Sequence, residues 1–73
     1  MEACLLVYSA GLCLMGKSNL EAPYEGTSIK AANVADAVRM AKEWAATVEI
    51  KDNSWLQVLL DGCGVATLKP GSF

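Results

Sequence analysis

Gly11 to Ser18 read Gly-Leu-Cys-Leu-Met-Gly-Lys-Ser and satisfy every constrained position of the phosphate-loop pattern G-x-x-x-x-G-K-[ST]. Such a loop cradles phosphate oxygens with backbone N–H groups at the start of a helix, while its lysine reaches the outer phosphates and its hydroxyl residue holds Mg²⁺. The chemistry implied is nucleotide binding. The apolar run Ala3 to Ala10 stands where the preceding strand belongs, and Val58-Leu59-Leu60-Asp61 resembles the second nucleotide motif. The neighbouring residues argue the other way. A helix should begin at Lys17, yet Ser18 and Asn19 are turn formers, and Pro23 and Gly26 break any helix almost at once. Leu12, Cys13, Leu14 and Met15, inside the string, read as a strand for burial rather than an anion nest. Gly62 directly after Asp61 reads as a hairpin turn. Lys17 is therefore not expected to be a phosphate ligand, and nucleotide binding ranks as the third reading.

Other chemistries are limited by what the chain lacks. It has no histidine, so the commonest general base, the serine triad and most zinc sites are absent. Its three cysteines, Cys4, Cys13 and Cys63, are odd in number and show no C-x-x-C spacing, which indicates neither a disulfide framework nor a metal knuckle. They read as small hydrophobes in a reducing compartment, with Cys63 in a turn the one to watch. Eight acidic against six basic side chains leave a net charge of -2, which speaks against a nucleic-acid binder that relies on phosphate neutralisation. No catalytic residue, metal or cofactor is assigned, and an enzyme is not expected.

The elements that position these residues follow from pattern. Seventy-three residues, 53% of them hydrophobic, make one domain, too short for the repeated strand-helix units of a parallel nucleotide-binding sheet. A core this small gains from a partner subunit. Ala3 to Gly16 is too short to span a bilayer, and Glu2 stands where a secretory signal carries positive charge, so the chain is expected to be cytoplasmic, with no membrane partner. Asn33 can cap a helix with Asp36 in its first turn. Val34, Ala37, Val38, Ala41, Ala45 and Val48 then recur at helical spacing with Trp44 at the margin, opposite Asp36, Arg39, Lys42, Glu43 and Thr47.

Strands fill the rest. Thr27 to Ala31 alternates, Trp55 to Leu60 reads as a strand, and Asp61-Gly62 with Cys63-Gly64 turns it back into Val65 to Lys69 until Pro70-Gly71. Ala3 to Met15 is either a hairpin turning at Ser9-Ala10-Gly11 or one long strand with a bulge. The expected fold is α+β, an antiparallel sheet of four to five strands in the order β-β-(β)-α-β-β with one amphipathic helix across one face. If Leu56, Val58 and Leu60 pack under that helix, Trp55 and Leu59 are left on the open face to meet a second subunit, a partner, or the long loop with Leu20 and Tyr24.

Tyr24-Glu25-Gly26-Thr27-Ser28-Ile29-Lys30-Ala31, leading into a helix with Ala37, Arg39 and Ala41, resembles a stretch found in short phage-encoded anti-CRISPR inhibitors of type I surveillance complexes. Those proteins include members with an N-terminal strand, a similar Glu-Gly-Thr-x-Ile-x-Ala strand, one helix and a closing hairpin. The likeness covers residues 24–43, and the chain departs from it in the extra apolar segment Leu12 to Met15 and a less basic helix. The layout also looks like that of small bacterial domains closed by a Trp-led strand and an Asp-Gly hairpin. The first resemblance implies stoichiometric inhibition of a ribonucleoprotein by occupation of its basic surfaces. The matching candidates here are Glu21, Glu25, Asp36 and Glu43, with Tyr24 as an amphipathic anchor. A non-enzymatic protein-binding module of this kind is the first reading, and a homodimeric housekeeping domain joined through Trp55 and Leu59 is the second.

Overall fold

The computed structural model describes residues 4–73, so Glu2 and Ala3 lie outside the described residues. Four strands and one helix follow in order: β1 Leu6–Leu14, β2 Glu25–Ala31, α1 Val34–Ala45, β3 Ser54–Leu60 and β4 Cys63–Leu68. All pairings are antiparallel and the spatial order is β2-β1-β3-β4, which places the two longest-separated partners, β1 and β3, in the middle. The fold is α+β, one helix on one four-stranded sheet, and the thinnest dimension of 17 Å has room for only those two layers.

The open question at the N-terminus is answered by pairing. Leu6 to Leu12 match Ala31 to Glu25 on one side, and Tyr8 to Leu14 match Leu60 to Ser54 on the other, so the segment is one long central strand. A hairpin at Ser9 to Gly11 would forfeit both ladders. The strand count is therefore four rather than five. Two ends also move: β2 begins at Glu25 rather than Thr27, and the last hairpin is tight enough that β4 begins at Cys63, because Asp61 (φ 53°) and Gly62 (φ 80°) supply both left-handed positions of a two-residue turn.

The helix starts where its cap predicts. Asn33 is extended (φ -156°), and its Oδ1 accepts the Asp36 N–H at 2.9 Å, a cap that contributes about 1 kcal/mol. Thr47 closes the other end, its Oγ1 donating to the Trp44 carbonyl at 2.7 Å. Ala37, Ala41 and Ala45 are fully buried and bring the helix backbone close to Tyr8, Ala10, Leu12, Ile29, Ala31, Leu56 and Val58. Val34 overhangs the first turn and stays exposed, and Val48 lies beyond the last turn, so the buried stripe is narrower than its sequence spacing suggests.

Candidate functional site

Alternation along the strands puts Tyr8, Ala10, Leu12, Leu56 and Val58 under the helix and turns Val7, Ser9, Gly11, Cys13, Trp55, Gln57 and Leu59 to the other face. Among the described residues no helix covers that second face. Ser9 sits between Ser28 and Leu59, Gly11 between Gly26 and Gln57, and Cys13 beside Trp55. The result is a shallow hollow of about 370 Å³ floored by Ser9, Gly11, Gly26 and Ser28 and walled by Leu59 and Pro23. Trp55 and Leu59 are half-buried there as expected, and Val7 is 58% exposed. The middle of β1 offers this face only small residues, Ser9 and Gly11.

The loop between β1 and β2 explains both the hollow and the fate of the phosphate-loop string. Gly16 N–H donates to the Asn19 carbonyl at 2.7 Å and Met15 bridges Leu20, so Gly16-Lys17-Ser18-Asn19 is the tip of a hairpin extension. Gly11 to Leu14 are inside β1, and the helix begins only at Val34. The Gly16 N–H is spent within the turn, and no helix N-terminus faces Lys17 to orient a nest of donors. Farther on, Glu21 N–H reaches the Leu14 carbonyl (2.8 Å) and Tyr24 N–H the Leu12 carbonyl (3.0 Å), which leaves Ala22 and Pro23 as a bulge. Pro23 folds over Gly11, so the loop covers part of the open face, where Gly11 and Cys13 are buried.

Tyr24 goes to the helix side instead. Its hydroxyl lies 2.6 Å from Ser54 Oγ and accepts the Lys51 N–H at 3.1 Å, Ser54 Oγ donates to the Lys51 carbonyl at 2.6 Å, and Lys51 Nζ stands 4.7 Å above the Tyr24 ring. This residue ties the start of β2 to the start of β3, and its polar tip is committed to the fold. Tyr24→Phe should cost about 1–2 kcal/mol in urea unfolding, because the Lys51 N–H and Ser54 lose a partner. Unchanged stability would show that the tie is dispensable.

The carboxylates named from sequence do not converge. Glu21 is exposed on the loop and Glu25 opens β2, at the same end of the sheet. Asp36 is in the first turn of α1, beyond the far end of β2, about 20 Å away along a seven-residue strand. Glu43 is tied to Arg39 across one helical turn at 3.0 Å. The acidic neighbour that Glu25 does have is Glu49, which shares a cleft with Tyr24, Ile50 and Lys51. Sequence reading missed Glu49 because it lies past the helix in a segment without periodicity. Cys13 is buried and its Sγ lies 3.9 Å from Gln57 Oε1. Burial pushes its thiol pKa up, which keeps it protonated and poorly nucleophilic. Cys4 and Cys63 are exposed free thiols.

Among the described residues no group of three His, Cys, Asp or Glu side chains is placed to hold a metal, and no helix is long and apolar enough to cross a membrane. Fold and surface together define a two-layer α+β domain whose second sheet face is covered only in part, by the loop at Pro23. Comparison with family models, with curated proteins and with solved structures returned no match.

Proposed function

We propose that this chain is a non-enzymatic protein-protein interaction module that works through the uncovered face of its sheet. The observation that carries the reading is the partition of β3: Leu56 and Val58 are sealed under the helix, while Trp55 and Leu59 stand on the far side with Val7 and no acidic residue between them. Small residues at Ser9, Gly11, Gly26 and Ser28 leave a hollow beside Leu59, and a knob from a partner fits such a hollow. A second copy of the chain is the simplest partner, because the face offers both knob and hollow and the core is small. Light scattering should then report a dimer at micromolar concentration, and Trp55→Ser with Leu59→Ser should return a folded monomer. A monomer throughout, with shift maps that ignore this face, would sink the module reading.

The second reading specifies a larger partner, a type I CRISPR surveillance complex inhibited in the bacterial cytoplasm by a phage or mobile-element protein. Its support is the strand-helix resemblance together with exposed Glu21 and Glu25 at one end of the sheet, where Glu49 joins them. Such carboxylates suit lysines and arginines that otherwise grip nucleic acid, with no direct contact of this chain to nucleic acid. The assay is target-DNA binding by a purified type I complex with the protein in molar excess. Inhibition that weakens in Glu25→Lys with Glu49→Lys, and less so in Asp36→Lys, supports it. DNA binding unaffected across several type I subtypes rejects it.

A further inference from the structure

We propose that the groove between β2 and α1 takes an extended segment of another protein as a fifth strand, one that alternates apolar and acidic side chains. The two edges of the sheet are treated differently by this sequence. At β4 the register slips so that Val58 faces Ala66 but Leu59 faces Gly64, which makes Val65 an extra residue, and Pro70 follows soon after. A bulge and a nearby proline blunt an edge against further pairing. At β2 the seven residues pair with β1 in unbroken register, contain no proline, and make no described backbone hydrogen bond on their outer side. Half of the backbone groups of an edge strand point outward, and those of β2 are available to a new strand.

Beside that edge the helix supplies a wall. A groove of about 410 Å³ runs between Thr27, Ser28, Ile29 and Lys30 on β2 and Met40, Glu43, Trp44 and Thr47 on α1. Met40 and Trp44 are half-buried and rest on the core, so the groove floor is apolar. A strand paired with β2 alternates its side chains between the two faces. One set drops against Met40 and Trp44 and should be apolar. The other set lies beside Ser28 and Lys30 on the open side. Lys30 is exposed and has no carboxylate partner among the described residues, whereas Glu43 is occupied by Arg39. The unpaired charge of the site is therefore positive and selects acidic side chains. Main-chain pairing supplies affinity and the groove supplies side-chain choice, the usual division in strand addition. A second β2 does not fit the role, because Ile29 is already buried under its own helix and cannot enter another groove.

The test is an NMR titration of the intact protein with two capped hexapeptides, one alternating aspartate with valine and the other alternating lysine with valine. The aspartate peptide should shift the amides of Thr27 to Lys30 and the signals of Met40, Trp44 and Thr47, and bind about twofold to fivefold more tightly than the lysine peptide, the range of one exposed ion pair. Lys30→Glu, at an exposed position, should leave the spectrum of the free protein largely intact and reverse that preference. Absence of saturable shifts up to about 2 mM of either peptide overturns the proposal, since strand addition weaker than this has no useful affinity. Shifts centred on Val7, Trp55 and Leu59 overturn it equally, as does equal affinity for both peptides with no change in Lys30→Glu.

Discussion

Leu56→Ala is expected to remove about half of the stability of this domain. Leu56 is fully buried in β3 opposite Leu12 and Leu68 and lies in the same core cluster as the alanine stripe of α1. Truncating a leucine in such a place costs about 2–5 kcal/mol, the transfer term plus the cavity left behind. A chain of 73 residues has a total of roughly 4–11 kcal/mol to lose. The surroundings cannot collapse to fill the space, because the facing helix residues Ala37 and Ala41 carry only a methyl group each. Thermal unfolding should shift down on the order of 15 °C, and the m-value in urea should stay near its original size if the variant still folds cooperatively. A loss under about 1 kcal/mol would mean that Leu56 is not the centre of the packing.

Gly11→Val is the second large effect, and two principles disagree about its sign. Valine is a good strand residue and glycine a poor one, so propensity alone expects a gain of up to about 1 kcal/mol. Sterics expects a loss. A Cβ on Gly11 would lie 2.9 Å from both Cβ and Cγ of Pro23 and 3.4 Å from the Glu25 carbonyl oxygen. Forcing a side chain into a filled site costs about 1–3 kcal/mol, and the proline ring cannot rotate away. Overpacking wins, and the net change should be destabilising by about 1–2 kcal/mol, with the 15–24 loop displaced from the open face. The check is a double-mutant cycle with Pro23→Gly. If the valine costs as much without the proline ring as with it, Pro23 is not the obstacle.

Leu56→Ala acts on the core alone, whereas Gly11 floors the hollow of one proposed surface and Trp55, Leu59 and Lys30 stand on the two of them. The buried thiol of Cys13 adds a pH signature. Its folded pKa is raised, so the unfolded chain releases that proton first, and stability present at neutral pH declines as pH rises past the ordinary thiol range.

Local chemistry alone determined the helix, its Asn33 cap, the Asp61-Gly62 turn and the division of β3 into Leu56, Val58 and Leu60 against Trp55, Gln57 and Leu59, because each rests on neighbours within four residues or on the period of a strand. The α+β class followed from the order of those elements. That no helix follows Lys17 was also legible at that level, since the turn formers after it forbid one. Tertiary structure decided what depends on residues far apart in sequence. Whether residues 6–14 form one strand or two was settled by β3, more than forty positions later, pairing along the free side of β1. The direction of Tyr24 was settled by Ser54 and Lys51, and the shallow hollow by Pro23 coming down on Gly11. Separation of Asp36 from Glu25, and the nearness of Glu49 to Glu25 in one cleft instead, follow from the helix running back along β2, since a strand and a return helix carry the first turn of α1 to the far end of the sheet.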